Sequence, residues 1–464
     1  MSGRYDLVVK RGTVVLPGEI VEADIAVKDG TFAAIDENID ERLADRTIMA
    51  GGHLVMAGVI DGHVHLNEPN YGHWEGFATG TAALAAGGCT AYADMPLNGN
   101  PPTVHLDALR QKERLAEGSS VVDYRLWGGL VPGNLDHLQE LADAGVVGFK
   151  AFMSNPGGEG EGRFREVNVT DLRAGMEKIA EIDGLLALHA ESEAITSLLA
   201  DRARREGRTG PDDFAASRPV EAETFAVAEA LAMAEATGCR LHFVHISSPE
   251  AVRMISRARG RGMDVSLETC PHYLTLTDRH MAELGPVAKC APPLRDSERV
   301  ERLWSHLLAG EIDLIASDHS PCPESMKLGR GLTFFDAWGG IAGAQNTLEL
   351  MLEEGWQKRG MPLTQLTTLL SANPARRFGF YPCKGEIAVG FDADLAIVDP
   401  SRPRTLTRAE LLHRHPHSPY IGMRLTCKVV ATLCRGETVY TAEKGIVAPG
   451  SGRHVRVNPR HAIG

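Results

Sequence analysis

The chain has 464 residues, 43% hydrophobic and 23% charged; this is globular composition with enough apolar material for a sizeable core, and it excludes a disordered chain, a collagen-like repeat and a coiled coil. At roughly 100–200 residues per domain, that length predicts one large domain with smaller appendages. A formal net charge of −13 lacks the basic footprint of a general nucleic-acid binder, no apolar run reaches the ~18 residues of a membrane span, and the opening MSGRYDLVVKRG has no signal-peptide core.

The first predicted elements are the short β runs DLVVKRGTVV and ADIAVKDGTFAAI within residues 5–36, punctuated by Gly and Asp-Gly turn signals. The same texture returns from about 385 in DADLAIVD and CKVVATLCRGETVYTA. Residues 1–56 and 384–464 are therefore expected to form one small β-sandwich domain built from both termini. Between them the rhythm changes. Strand candidates at 59–66, 89–95, 124–131, 147–153, 185–191, 240–247, 264–270 and 313–320 alternate with segments of helical spacing such as DLRAGMEKIAEIDG and ETFAVAEALAMAEATG. Eight such repeats predict an α/β fold, a (β/α)8 TIM-type barrel over 57–383. A doubly wound open sheet is the competing architecture, but no G-x-G-x-x-G turn follows the first strand.

Barrel chemistry sits at the C-terminal ends of the strands. Those ends carry His63, His65, Lys150, His189, His245 and Asp318. The spacing of two in His63-Val64-His65 puts both imidazoles on one face of a strand. Four histidines and an aspartate all falling late in strands do not fit isolated core histidines. They read as ligands for Zn, Co, Mn, Ni or Fe rather than Ca or Mg. An ammonium at Lys150 would be repelled by cations and is costly to desolvate. Carboxylation of its amine by CO2 would turn it into an anionic group able to bridge two metals. Two divalent metal ions would then activate water against a carbonyl, with Asp318 as the catalytic proton carrier.

Other features read more plainly. The run GGEGEGRF (157–164) lacks a G-K-[ST] ending and reads as a loop beside the site rather than a phosphate cradle. Cys270-Pro271-His272 and Cys322 read as packing or support, RMISRARGRG (253–262) as a solvated helix face, and HRHPHSP (413–419) as an exposed loop near the terminal domain. The eight cysteines show no close C-x-x-C pair and read as reduced thiols of a cytoplasmic protein.

HVHLNEP (63–69), WEGFATGT (74–81), DMPLNGNPPT (94–103), KAFMSN (150–155), ETCPHYL (268–274), CAPPLR (290–295) and SDHSPCP (317–323), with the return segment at 371–399, resemble the amidohydrolase superfamily. The resemblance runs nearly end to end, in the branch that holds dihydroorotases, dihydropyrimidinases and allantoinases, and is greatest to the allantoinases. It implies that His63, His65 and Asp318 hold one metal, that His189 and His245 hold the other, and that carboxylated Lys150 bridges them, with zinc the first choice. Dihydroorotases carry Arg where this chain has Asn67, so a substrate carboxylate would lack its bidentate partner. Dihydropyrimidinases carry Tyr where this chain has Asn155. Both departures favour hydrolysis of the hydantoin-ring amide of allantoin to allantoate. A dihydropyrimidinase-like hydantoinase is the alternative, and a non-enzymatic scaffold would show gaps in the ligand set that are not seen. The expected substrate contacts are Asn67, Asn155, Ser317 and Asn346, with backbone groups around Cys290 and Ala291 as the resemblance implies, and the expected partners are a small cyclic ureide and three further copies of the chain in a homotetramer, with no nucleic acid and no membrane.

Overall fold

Residues 4–157 and 162–456 are described by the computed structural model. Positions 158–161 of the glycine-rich run lie outside them. Apolar, β-branched runs buried on both faces suit a parallel sheet covered by helices. Eight of them form the barrel: Val59–Val64, Cys89–Asp94, Asp123–Leu126 continued by Gly128–Gly129, Phe149–Phe152, Leu185–His189, Arg240–Phe243, Val265–Thr269 and Leu314–Ile315. Each pairs in parallel with the next, and a bridge from Val64 to His319 closes the ring. Trp127 interrupts the third strand and donates from its indole to the Gly62 carbonyl at 3.0 Å.

The outer helices carry local start and stop signals. Asn168, Ser248 and Asp296 each accept a first-turn backbone N–H, opening Val169–Glu181, Pro249–Gly260 and Ser297–Leu308. Such a cap is worth about 1 kcal/mol. Val220–Thr237 buries Ala222, Ala226, Ala230 and Ala234 four residues apart and ends at Gly238 with φ 73°, the left-handed stop that glycine adopts without a Cβ clash. The basic run at 253–262 lies with Arg253, Arg257 and Arg261 exposed and Val252, Ile255 and Ala258 buried, the solvated face that its composition predicts.

Both chain ends meet in one sheet. Its N-terminal strands run from Tyr5–Leu16 to Leu54–Ala57, and its C-terminal strands from Leu395–Asp399 to Gly445–Ile446. The seam is antiparallel, with Ala57 opposite Leu395 and Val55 opposite Ile397, over a core of Leu7, Val9, Ile25, Phe32 and Leu433. The chain enters the barrel across Gly58, where a Cβ would stand 2.1 Å from the Thr90 hydroxyl. Buried Lys384 fastens this domain to the barrel through Asp123 at 2.7 Å and Asp394 at 2.8 Å.

Candidate metal centre and substrate cleft

The strands end sooner than their apolar runs suggest. His65, His245 and Asp318 lie just beyond the last paired residues, and His245 and Asp318 have φ of 38° and 46°. Left-handed backbone at a non-glycine residue is strained and persists where surrounding structure over-determines it. Here it turns both side chains towards the barrel axis.

The first corner gathers residues from strands one, six, seven and eight. His63 Nε2 and His65 Nε2 each stand 3.2 Å from one Asp318 oxygen, and one ligand atom from each residue lies within 4.8 Å of the others. Behind them, Glu268 receives His63 Nδ1 at 2.5 Å and His242 Nε2 at 3.0 Å, and His242 Nδ1 meets Ser266 Oγ at 2.8 Å. A carboxylate on Nδ1 holds the proton there and leaves the Nε2 lone pair facing the corner. Burial pulls the Glu268 carboxyl upwards, but His63 and His242 outweigh it and hold it at about 2. Asp61 accepts the His63 and Ser317 backbone N–H groups, both at 3.2 Å, joining the first and last strands. Burial pushes its own carboxyl up to about 6.

The second corner repeats the device with the other ring nitrogen. His189 Nε2 donates to Glu191 at 2.8 Å, so its Nδ1 faces His245 Nε2, 3.0 Å away. Arg218 pairs with Glu191 and, against burial, helps hold that carboxyl at about 2. Between the corners Lys150 is fully buried, its Nζ without a hydrogen-bond partner among the described residues and 4.9 Å from the Phe152 ring centre. Desolvation lowers its pKa to about 7. A buried amine with no carboxylate hydrogen-bonded to it, and only the longer-range pull of Asp318 and Glu268 against desolvation, is poorly suited to remaining an ammonium. These two pairs of inward imidazole lone pairs, the Asp318 carboxylate and the orphaned amine fit a divalent-cation centre.

A cleft of about 500 Å³ opens above both corners, within the range of small-molecule sites. His63, His65, His189, His245 and Asp318 form its floor, with Asn155, Lys289, Ala291 and Trp338 on its walls. Asn155 lies where a substrate contact is expected. Its Oδ1 already accepts the Gly157 N–H at 2.9 Å and Arg163 at 3.1 Å, which leaves its amide N–H2 for a ligand. The side chains of Asn67, Ser317 and Asn346 do not line the cleft, whereas Cys290, expected to act through its backbone, sits between two residues that do. Asn67, at φ 64°, turns away and donates to the Pro321 carbonyl at 3.2 Å. Cys290 points into the core, its thiol pushed up to about 12 by burial, while its neighbours Lys289 and Ala291 face the opening. The Ser317 hydroxyl accepts the His319 N–H at 3.1 Å. Asn346 closes the turn Ala344–Asn346 at the start of helix Thr347–Met351, and in the preceding loop it is Trp338 that lines the cleft.

The HRHPHSP segment is also corrected: His413 and His417 are buried. His417 Nε2 meets the Cys322 carbonyl and His415 Nε2 the His73 carbonyl, each at 2.8 Å, and the Arg414 N–H donates to Glu75 at 3.0 Å. The segment is a strap from the terminal domain, laid across the loops that follow the first and last strands. The His415 and His417 rings find barrel carbonyls to donate to, and His413 the carbonyl of His417 at 3.3 Å, which satisfies them without a metal. Sequence reasoning also missed Glu268 and Glu191. Glu191 was legible as a carboxylate two residues past a ligand histidine; Glu268 lies 205 positions from His63 and carried no such signal.

The amidohydrolase family model matches residues 54–439. An allantoinase from Rubrobacter xylanophilus is 47% identical over 452 residues, covering 97% of this chain and 98% of that protein. An allantoinase from Salmonella choleraesuis is 44% identical with the same coverage. Among solved structures, the L-hydantoinase (dihydropyrimidinase) from Arthrobacter aurescens is similar with TM-score 0.93 at 36% identity, covering 97% of this chain and 100% of that one. A dihydropyrimidinase from Brevibacillus agri gives TM-score 0.89 at 30% identity, with coverages of 97% and 98%.

Proposed function

This chain belongs to the amidohydrolase family, and from that membership we propose that it hydrolyses the hydantoin-ring amide of allantoin to give allantoate. One observation carries the choice of substrate: identity to allantoinases reaches 44–47% end to end, against 36% and 30% to the hydantoinase and dihydropyrimidinase structures. The amide of Asn155 on the cleft wall supports it, since a ring with a ureido tail needs several neutral donors and acceptors.

In this reading His63, His65 and Asp318 hold one divalent cation, zinc by first choice, and His189 and His245 hold a second. Lys150 would serve both as a carbamate, formed when its neutral amine adds CO2, an N–C bond forms and a proton leaves. When bound, such cations polarise a carbonyl and acidify water. The chain's own groups do the rest. Burial works against the Asp318 carboxyl, but His63 and His65 hold it well below the usual carboxylate range. It is therefore ionised, and it takes a proton from the attacking water and returns it to the ring nitrogen as the C–N bond breaks. Asn155 and the backbone at Ala291 orient the ring, and Phe152 and Trp338 give it apolar walls.

Purified holoenzyme assayed against allantoin, hydantoin, dihydrouracil and dihydroorotate tests the proposal, with the highest kcat/KM expected for allantoin. Faster turnover of hydantoin or dihydrouracil would assign a hydantoinase instead. A cytoplasmic location belongs to the same reading: the eight cysteines are unpaired and seven are buried. Among the described residues no helix is long and apolar enough to cross a membrane. So does a homotetramer, for which Leu198 and Phe225, 54% and 60% exposed on touching helices, supply apolar surface; light scattering reads the assembly directly.

A further inference from the structure

We propose that Lys289 is a specificity-determining residue that donates a hydrogen bond to the ureido tail, the group that separates allantoin from a bare hydantoin. The proposal rests on the allantoin reading and deepens it. Lys289 lines the cleft beside Ala291, yet its side chain is largely buried. Its Nζ donates to the Phe335 carbonyl at 3.0 Å and the Ala337 carbonyl at 2.5 Å, and stands 4.6 Å from the centre of the Phe214 ring.

Burial, with Lys327 and Arg218 nearby, lowers the Lys289 pKa to about 7; its ammonium form, populated at and below neutral pH, has three N–H groups, and these two carbonyls take two. No carboxylate among the described residues pairs with Lys289. On the same cleft, Arg218 is paired with Glu191, and Arg204 stands 3.6 Å from Asp201. Lys327 fixes the base of the side chain from behind, donating to the Pro286 carbonyl at 2.7 Å and the Lys289 carbonyl at 3.2 Å. The Lys289 stem therefore has little freedom, and its remaining N–H is held next to an aromatic face.

A neutral, planar carbonyl group suits that place, because it accepts the hydrogen while its plane lies against Phe214. The ureido tail of allantoin carries such a carbonyl beyond the ring, and a bare hydantoin lacks it.

The test uses the holoenzyme and its Lys289→Met and Lys289→Arg variants. Each is read by the KM for allantoin and by the inhibition constant of hydantoin against allantoin turnover, a constant defined whether hydantoin is turned over or not. For Lys289→Met the KM for allantoin is expected to rise at least tenfold more than the hydantoin constant, and Lys289→Arg, which keeps donors, is expected to recover part of that split. An equal rise in both constants would mean that Lys289 only holds the Phe335–Ala337 segment in place, and no rise in either would mean that it faces no ligand; both outcomes overturn the proposal. If instead the unaltered enzyme prefers hydantoin to allantoin, the substrate reading fails, and the split between the two constants no longer bears on it. Should Lys289→Met not fold, the same ratio measured for Lys289→Ala, which also removes the donor, decides: a ratio shift of less than twofold in an active enzyme goes against a tail contact.

Discussion

The floor and the wall of the cleft are built by different means. On the floor, the inward side chains stand at or just past strand ends, and the ring nitrogens of His63 and His189 are oriented from behind by Glu268 and Glu191. On the wall, Trp338 is carried by a loop and held by a 3.3 Å bond to the Ser320 carbonyl and edge-on contact with Trp74 at 4.9 Å. Paired barrel strands hold ligands to a fraction of an ångström, as binding a cation requires. Loops on a rigid scaffold can change shape without disturbing that floor, so the choice of substrate falls to them.

Four expected outcomes break or sharpen this contrast. Lys150→Ala removes the bridging group, and activity is expected to fall by about 10³-fold or more, equivalent to ~4 kcal/mol of barrier, with partial rescue by added short-chain acids; an active variant without added acid ends the bridging role. Chelator treatment should abolish turnover to the assay limit, and re-addition of Zn, Co, Mn, Ni or Fe should restore it to different extents. Elemental analysis after each step is the check, and turnover by protein shown to be metal-free would remove the floor from the chemistry altogether. Glu268→Gln leaves the His63 ligand in place but loosens its orientation, which typically costs about 10–100-fold in metal affinity or activity; metal titration reads it, and unchanged affinity would show that the ring needs no backing carboxylate.

The smallest effect tests the wall. Asn155→Ala should lower kcat/KM for allantoin about 10-fold, roughly one hydrogen bond, while Asn346→Ala, outside the cleft, should change it less than about threefold. Equal losses from both would mean that the lining residues do not define the substrate contacts.

Much of the floor can be read from spacing. A two-residue interval on a strand puts His63 and His65 on one face, and the alternation of short apolar runs with helical segments gives eight strands in the observed places. The terminal β-rich runs likewise join in one sheet, along the seam between Leu54–Ala57 and Leu395–Asp399. The wall is much less legible. Asn346 has the residue type expected of a substrate contact but lies at a helix start, whereas Lys289 and Trp338 reach the cleft without a local pattern to mark them. His415 and His417 of HRHPHSP look like solvent-facing groups until the carbonyls of His73 and Cys322 are placed beside them.

The division has a physical cause. Strand and helix periods, caps and turn residues act between neighbours a few positions apart, so amino-acid order alone carries the barrel, its strand ends and the kinds of ligand those ends bear. Closure of the ring brings residue 63 next to 268 and 318, residue 189 next to 245, and residue 191 next to 218. Which ring nitrogen faces inward, which lysine loses its water shell without gaining a partner, and which loop covers the opening all depend on those distant neighbours, because hydrogen bonding and desolvation are decided by what is close in space.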